Sequence, residues 1–227
     1  MENEPKVLLD SALVPDADAD AEMGGAARSI ADADLAGSRF LVVCLGAEAT
    51  EDGGGLVKLA CTFQPAHGTR FRAARVAFKL VTPQGVRFLD IAPQEIRDED
   101  PVKIKVNRGG TLGLTRKEVA EVGVTRGSEK EYEVYTCAVR GSGAGTATAV
   151  WTFEENEHTR AGLGTAQTLA ITVPVSGKIL GTVAVSATLT RPGLLGGLDA
   201  VRDMVLGPRG EERHFPLTLE IPDAATG

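Results

Sequence analysis

Three runs between residues 146 and 189 alternate apolar residues with small polar residues at a period of two. They cover residues 146–153, 168–173 and 178–189, and together they are rich in Val, Ile and Thr. This pattern is typical of strands in a pleated sheet that is buried on one side. Residues 174–177 separate the last two runs and predict a hairpin turn. Trp151, the only tryptophan, is expected at the centre of the core.

Further strand patterns extend this interpretation to most of the chain. Val57, Leu59, Cys61 and Phe63 alternate with less apolar neighbours, and the apolar parity changes between Phe71 and Val76, which predicts a β-bulge within residues 73–75. We expect an all-β fold, an antiparallel β-sandwich of about ten strands formed by residues 36–222 and followed by a tail at 223–227.

One segment departs from the strand pattern. Residues 193–207 contain apolar residues at three- and four-residue steps: Leu194, Leu195, Leu198, Val201 and Val205. Such spacing is typical of an amphipathic helix. The sequence therefore predicts one short helical or loop insertion near residues 194–206, which caps an end of the sandwich.

The charges are unevenly distributed along the chain. Residues 1–35 contain nine acidic and two basic residues, a net charge of -7, whereas residues 70–117 contain eleven basic and five acidic residues, a net charge of +6. We interpret residues 1–35 as a poorly ordered acidic arm. The basic middle of the chain is then a solvated sheet face or, alternatively, a face that this arm covers. Arg70, Arg72, Lys103 and Lys105 are the candidate partner-binding residues. Stacking aromatic residues are missing beside them, so a nucleic-acid partner is not expected.

Cysteine usage and hydropathy bear on the compartment. The three cysteines, Cys44, Cys61 and Cys137, are an odd number without metal-ligand spacing, which favours reduced thiols. Residues 1–5 lack the pattern of a secretory signal, and no apolar run approaches the ~18 residues of a membrane-spanning helix. The sequence thus predicts a cytoplasmic protein without a membrane partner.

Two polar segments were considered as sites of chemistry. The Gly-Ser-Gly-Ala-Gly sequence of residues 141–145 lacks the order of a nucleophile elbow and the ending of a phosphate-binding loop, which favours a hairpin loop. The Glu-Glu-Asn-Glu-His sequence of residues 154–158 offers oxygen ligands for a hard cation, but a capped acidic turn is the favoured interpretation. No catalytic residue, metal ligand or cofactor is expected.

These observations predict a non-catalytic cytoplasmic β-sandwich module for binding or assembly that engages a protein partner. Two alternatives stay open. A hydrolase with an unrecognised active site would need a histidine beside a nucleophile in a concave pocket. A membrane-acting β-sandwich would need an exposed apolar patch on residues 193–207.

Overall fold

The strands of the chain were located in a computed structural model. It describes residues 5–15, 30–31, 35, 37–97, 102–106, 112–115, 130–134, 137–156, 159–163, 166–191, 200–206 and 215–222. These residues form fifteen strands: β1 (Lys6–Pro15), β2 (Arg39–Ala49), β3 (Gly55–Gln64), β4 (Arg70–Thr82), β5 (Asp90–Ala92), β6 (Glu95–Ile96), β7 (Val102–Val106), β8 (Leu112–Thr115), β9 (Lys130–Val134), β10 (Ala138–Ser142), β11 (Thr148–Glu154), β12 (Gln167–Val173), β13 (Gly177–Arg191), β14 (Ala200–Leu206) and β15 (Phe215–Ile221).

Twelve of these strands form one antiparallel sheet, which we call the main sheet. Its strand order is β5-β12-β3-β2-β1-β14-β13-β4-β11-β10-β6, and β15 pairs with β13 outside this order. The terminal strands β5 and β6 are consecutive in the chain and are joined through residues 93–94, so the sheet nearly closes on itself. The remaining strands, β7 to β9, form a separate sheet with the order β8-β7-β9, which we call the small sheet.

The core lies between the two halves of the main sheet and contains its largest aromatic side chains. Phe63 on β3 contacts Phe71 on β4 and Phe153 on β11, with ring centroids 5.6 and 5.7 Å apart. Trp151 is fully buried, packs edge-on against Phe78 and donates a hydrogen bond from Nε1 to the Pro93 carbonyl at 3.1 Å. A buried indole needs such an acceptor, because an unpaired N–H in the core is costly.

Several sequence predictions are confirmed. The chain is all-β and antiparallel, Trp151 is a core residue, and the predicted inward side of β3 (Val57, Leu59, Cys61 and Phe63) is buried. The parity change in β4 coincides with a register shift. Thr188 pairs with Ala73 and Leu189 pairs with Phe71, so the extra residue lies at Arg72, next to the predicted segment. Residues 143–147 connect β10 to its partner β11, so the predicted hairpin loop begins two residues later than its sequence signal at 141–145.

Residues 174–177 do not form the turn of a hairpin. They connect β12 to β13, but β12 pairs with β3 and β5, whereas β13 pairs with β4, β14 and β15. The prediction that the chain turns here agrees with the positive φ of 82° at Gly177. A turn between two strands does not require that they pair with each other. Here the turn connects strands in different parts of the main sheet.

The prediction of a helical or loop insertion near residues 194–206 is also wrong for residues 200–206, which the structure describes. Residues 200–206 form β14, which pairs with β1 and β13. Val201 and Val205 are four residues apart, and a four-residue step satisfies the period of a strand as well as that of a helix. Tertiary pairing on both sides then selects the strand. Residues 192–199 lie outside the described residues.

Part of the predicted acidic arm belongs to the main sheet. Within β1, the segment from Lys6 to Ala12 pairs with β2, and Leu13 to Pro15 pair with β14. Leu13, Ile30 and Leu35 are buried in the core. Three apolar residues of this segment therefore belong to the core, which its net charge does not indicate. For residues 16–29, which the structure does not describe, the arm and its contact with the basic middle remain a prediction.

Candidate functional site

The small sheet is inserted at one end of the main sheet. The chain leaves the main sheet after β6, forms β7, β8 and β9, and returns through β10. β6 and β10 are paired neighbours, with Ile96 opposite Val139. The insertion therefore leaves and re-enters at adjacent positions, and the order of strands in the main sheet is maintained without it.

The register of the small sheet separates apolar from polar positions. Ile104 of β7 pairs with Leu114 of β8 and with Tyr132 of β9, and Val102 pairs with Val134. Residues that pair across an antiparallel ladder share a face, and alternate residues of a strand share a face. The even-numbered positions therefore form one face, and seven of these eight positions are apolar: Val102, Ile104, Val106, Leu112, Leu114, Tyr132 and Val134. Lys130 is the exception.

The opposite face consists of odd-numbered positions, which are basic on β7, acidic on β9 and uncharged on β8. Lys103 pairs with Glu133, and Lys105 pairs with Glu131. Opposite charges at paired positions stabilise an antiparallel sheet, by about 0.2–1 kcal/mol for each pair. Two of the four candidate partner-binding residues thus occupy register positions opposite acidic residues, which reduces the net charge of this face.

The other two candidates, Arg70 and Arg72, lie on β4 of the main sheet. Arg70 is mostly buried, and its Nε donates a hydrogen bond to Oε2 of Glu155 at 3.0 Å. The same Glu155 oxygen accepts a hydrogen bond from the Gly162 backbone N–H at 3.2 Å. Arg72 is exposed. The four residues therefore lie in two sheets and have different environments, and Arg70 contributes to the packing of a loop.

The acidic segment 154–158 begins at the end of β11 and is a capped turn as far as the structure describes it. Asn156 is buried, and its side-chain oxygen accepts a hydrogen bond from the Thr159 backbone N–H at 3.0 Å. Its backbone carbonyl accepts a hydrogen bond from the Arg160 N–H at 2.9 Å. Among the described residues, no group of three His, Cys, Asp or Glu could hold a metal ion. Residues 157 and 158 are outside that part of the chain.

The cysteines differ in environment. All three are free, and Cys61 and Cys137 are buried, whereas Cys44 is half-buried. Burial raises the pKa of Cys61 well above the ordinary thiol range and raises that of Cys137 to about 11, because an apolar environment disfavours the thiolate. Cys61 and Cys137 are therefore inert core residues, while Cys44 is accessible to reagents.

The amphipathic insertion was missed as a unit, although its signal is present in the sequence. The apolar residues of residues 102–106, 112–114 and 132–134 all lie at even positions across three separate segments. A shared parity across three segments indicates that they can build one apolar face. Each segment predicts a strand on its own, but a single segment does not show that the three strands form one sheet.

Comparison with known proteins gives a structural similarity without a sequence relationship. No protein-family model and no curated protein sequence matches the chain. Clostridium perfringens delta-toxin is similar at a TM-score of 0.36 and 10% identity, with coverage of 96% of this chain and 93% of the toxin. A structure described as a pore forming protein has a TM-score of 0.35 and 10% identity, with coverage of 80% and 84%. The Clostridium perfringens NetB toxin in its membrane-inserted form has a TM-score of 0.33 and 8% identity, with coverage of 80% and 88%.

These comparisons contradict the predicted function. The similar structures are named as toxins or as a pore forming protein, and one is membrane-inserted. The expectations of a cytoplasmic binding module, of a cytoplasmic location and of no membrane partner are wrong on this finding. They rested on missing signals, and a short amphipathic strand gives no signal in a search for apolar helices. In the described part of the chain, no helix is long and apolar enough to cross a bilayer.

The membrane-acting alternative depended on an exposed apolar patch on residues 193–207. Met204 and Val205 of β14, whose side chains the structure describes, are buried in the main sheet, so they are not available to lipid. Leu194, Leu195 and Leu198 lie outside the described residues.

Proposed function

We propose that this chain is a membrane-acting β protein and that the even-numbered face of the small sheet is its lipid-contacting surface. The observation that carries the proposal is the shared parity of the apolar residues in β7, β8 and β9, together with the register that places them on one face. Strict alternation between an apolar and a polar face is the pattern by which β-strands contact lipid on one side and water or protein on the other.

The position of the insertion supports the same proposal. Because the small sheet leaves and re-enters the main sheet at the paired strands β6 and β10, its strands can contact another surface without altering the pairing of the main sheet. The ring contacts of Phe63 and Trp151 described above join strands of the main sheet to one another. The chain thus combines a well-packed body with a separate amphipathic sheet.

Strand length defines the kind of contact that this form of the protein makes. A strand that crosses the hydrocarbon core needs about 9–11 residues. β7 and β9 have 5 residues each, and β8 has 4. Over the described residues the strands are shorter than that length, and we propose that these segments contact the interface of a bilayer.

The charges of the insertion favour an apolar mode of binding. Residues 98–136 contain seven basic and eight acidic residues, a net charge of -1, and Lys103 and Lys105 pair with glutamates. An insertion without a positive excess gains little from anionic lipid. We therefore propose that Lys103 and Lys105 stabilise the strand pairing of the small sheet. Of the four candidate partner-binding residues, Arg72 is then the one that contacts a partner.

The fine architecture of the body is part of the proposal. The ring contacts of Phe63 with Phe71 and Phe153 join strands from opposite halves of the main sheet. This packing supports two facing layers, as in a β-sandwich, with strand β1 passing from one layer to the other.

Co-sedimentation with vesicles tests the proposal. We expect the full chain to bind phosphatidylcholine vesicles, and we expect binding to change little between about 50 and about 500 mM salt, a range over which screening shortens the reach of exposed charges severalfold. Leu114→Asp should abolish binding, because a carboxylate on the apolar face must be desolvated at the bilayer. Leakage of a trapped dye from the same vesicles distinguishes surface binding from perforation.

Thr115→Asp is the matched control, because it places the same residue next to Leu114 on the opposite face of β8. It should bind vesicles as the unmodified chain does. Equal binding by the two variants, or no binding by the unmodified chain at either salt concentration, would overturn the proposal.

A further inference from the structure

The main sheet contains a forked region that is independent of the small sheet. β13 pairs with β14 through residues 186–191 and with β15 through residues 177–183, so β14 and β15 follow one another along β13. β1 continues the sheet beyond β14 and leads to β2, whereas β15 pairs with β13 alone. The edge of β15 is therefore next to β1 and β2 without being hydrogen bonded into their ladder.

Two β-bulges lie where β1 and β2 pass the edge of β15. The register of β1 shifts between Val7 and Leu9, and the register of β2 shifts between Cys44 and Gly46. Bulges increase the local twist and bend a strand. A cleft with a volume of about 130 Å³ lies at this point, between β15 and the bulged parts of β1 and β2.

The cleft has an apolar floor and a charged rim. Its floor is formed by Leu8, Ala47, Val57 and Leu219, and the last three are buried. At the rim, Nζ of Lys6 lies 3.7 Å from Oε2 of Glu220, and both side chains are more than 60% exposed. An ion pair in such contact with water contributes little stability, so it opens at little cost.

We infer that this cleft is a binding site for the end of a single alkyl chain, with the polar head group of the ligand at the rim beside Lys6 and Glu220. An enclosed apolar cavity of roughly 150 Å³ holds a molecule of benzene. This cleft has a similar volume but is open at Lys6 and Glu220, so it suits a short alkyl segment whose polar end stays in water. The apolar floor excludes charged groups and the rim accepts a polar one, which together select an amphiphile.

Cys44 provides a reporter at the cleft itself. It lines the cavity and is half-buried, whereas the other two thiols lie in the core. Iodoacetamide should therefore modify Cys44 first in the folded full-length chain. Peptide mass spectrometry measures the rate of this modification with and without 1-hexanol, a soluble alkyl probe. A bound alkyl chain excludes the reagent, so the rate should fall about tenfold when the probe is present at ten times its dissociation constant.

Gly46→Val is the variant that tests the location. Gly46 lines the cleft, and an added Cβ would meet no atom within 4 Å, so a larger side chain fills the open space without a clash. In this variant we expect 1-hexanol to lose its protective effect. Thr168→Val, on the exposed side of β12, is the control and should keep the effect. Far-UV circular dichroism verifies that both variants fold.

A second measurement keeps the inference testable if Gly46→Val fails to fold. On the unmodified chain, a bulky cage alcohol such as 1-adamantanemethanol should protect Cys44 much less than 1-hexanol does. Phosphatidylcholine vesicles form a further arm: protection by vesicles identifies a membrane lipid as the source of the alkyl chain, and protection by 1-hexanol alone identifies a free amphiphile. Absence of saturable protection by 1-hexanol, or equal protection in Gly46→Val, would overturn the inference.

Discussion

The main sheet and the small sheet are built from the same alternating pattern but differ in what they pack against. In the main sheet, the apolar positions of β3, β4, β11 and β13 meet one another in a core that contains Trp151 and the contacting phenylalanines. In the small sheet, an apolar face is built from short strands and is supported by cross-strand pairs of opposite charge. The comparison teaches that an alternating pattern predicts which face of a sheet is apolar. It does not predict whether that face packs against another part of the chain or against a different surface.

The two regions should therefore respond differently to substitution. Changes in the core of the main sheet should reduce the stability of the whole chain. Changes in the small sheet should alter contact with a membrane and affect the stability of the main sheet less, because no described strand of the small sheet pairs with the main sheet. The following predictions are ordered by the size of the expected effect.

The largest effect is expected for Trp151→Ala in the main sheet. The substitution leaves a cavity beside Phe78 and removes the donor to the Pro93 carbonyl, so unfolding should become easier by about 3–5 kcal/mol. Denaturant melts followed by far-UV circular dichroism measure the free energy of unfolding. A loss below about 1 kcal/mol would show that the core described here is not the source of the stability of the chain.

A smaller effect is expected where the loop after β11 is held to β4. Glu155→Ala removes the carboxylate that accepts hydrogen bonds from Arg70 and the Gly162 N–H, and the side chain of Glu155 is only 10% exposed. Hydrogen bonds to charged groups contribute about 1.5–3 kcal/mol, so a loss of that order is predicted. Glu154→Ala is the matched control, since Glu154 is exposed, and should stay within about 0.5 kcal/mol. Equal losses in the two variants would argue against the role of the Arg70–Glu155 pair.

The smallest effect is expected for the charge pairs of the small sheet. Lys103→Glu places two like charges opposite each other and should weaken the β7–β9 pairing by about 0.2–1 kcal/mol. The double variant Lys103→Glu with Glu133→Lys restores opposite charges and should restore the pairing. Amide hydrogen exchange within β7 measures this local stability. If the double variant exchanges as fast as the single one, the register of the small sheet is not as described.

Much of the main sheet could be predicted from the sequence because local pattern and tertiary environment agree there. The alternation of Val57, Leu59, Cys61 and Phe63 indicated both the strand and its buried face. The parity change before Val76 indicated a bulge, and the register shift lies next to the predicted residues. Where one period fits the residues, the local pattern is sufficient.

The remaining features depend on partners that are distant in sequence. Val201 and Val205 suit either a helix or a strand, and pairing with β1 and β13 decides between them. Arg70 and Arg72 are two residues apart, which places them on the same face of a strand. Arg70 nevertheless contacts Glu155, 85 residues later, and is therefore not available as an exposed basic residue. The apolar parity of the small sheet is visible in the sequence, yet its function depends on the surface that the face meets, which no local pattern specifies.

Environment-sensitive fluorescence along β7 tests the central claim most directly. In a Cys44→Ser background, single cysteines at residues 102–106 would be labelled with a nitrobenzoxadiazole dye, whose emission rises and shifts to shorter wavelength in an apolar environment. On addition of phosphatidylcholine vesicles, we predict this change at the even-numbered residues (Val102, Ile104 and Val106) and little change at Lys103 and Lys105. A response without this period of two, or no response at any of the five positions, would contradict the proposal that the even-numbered face contacts lipid.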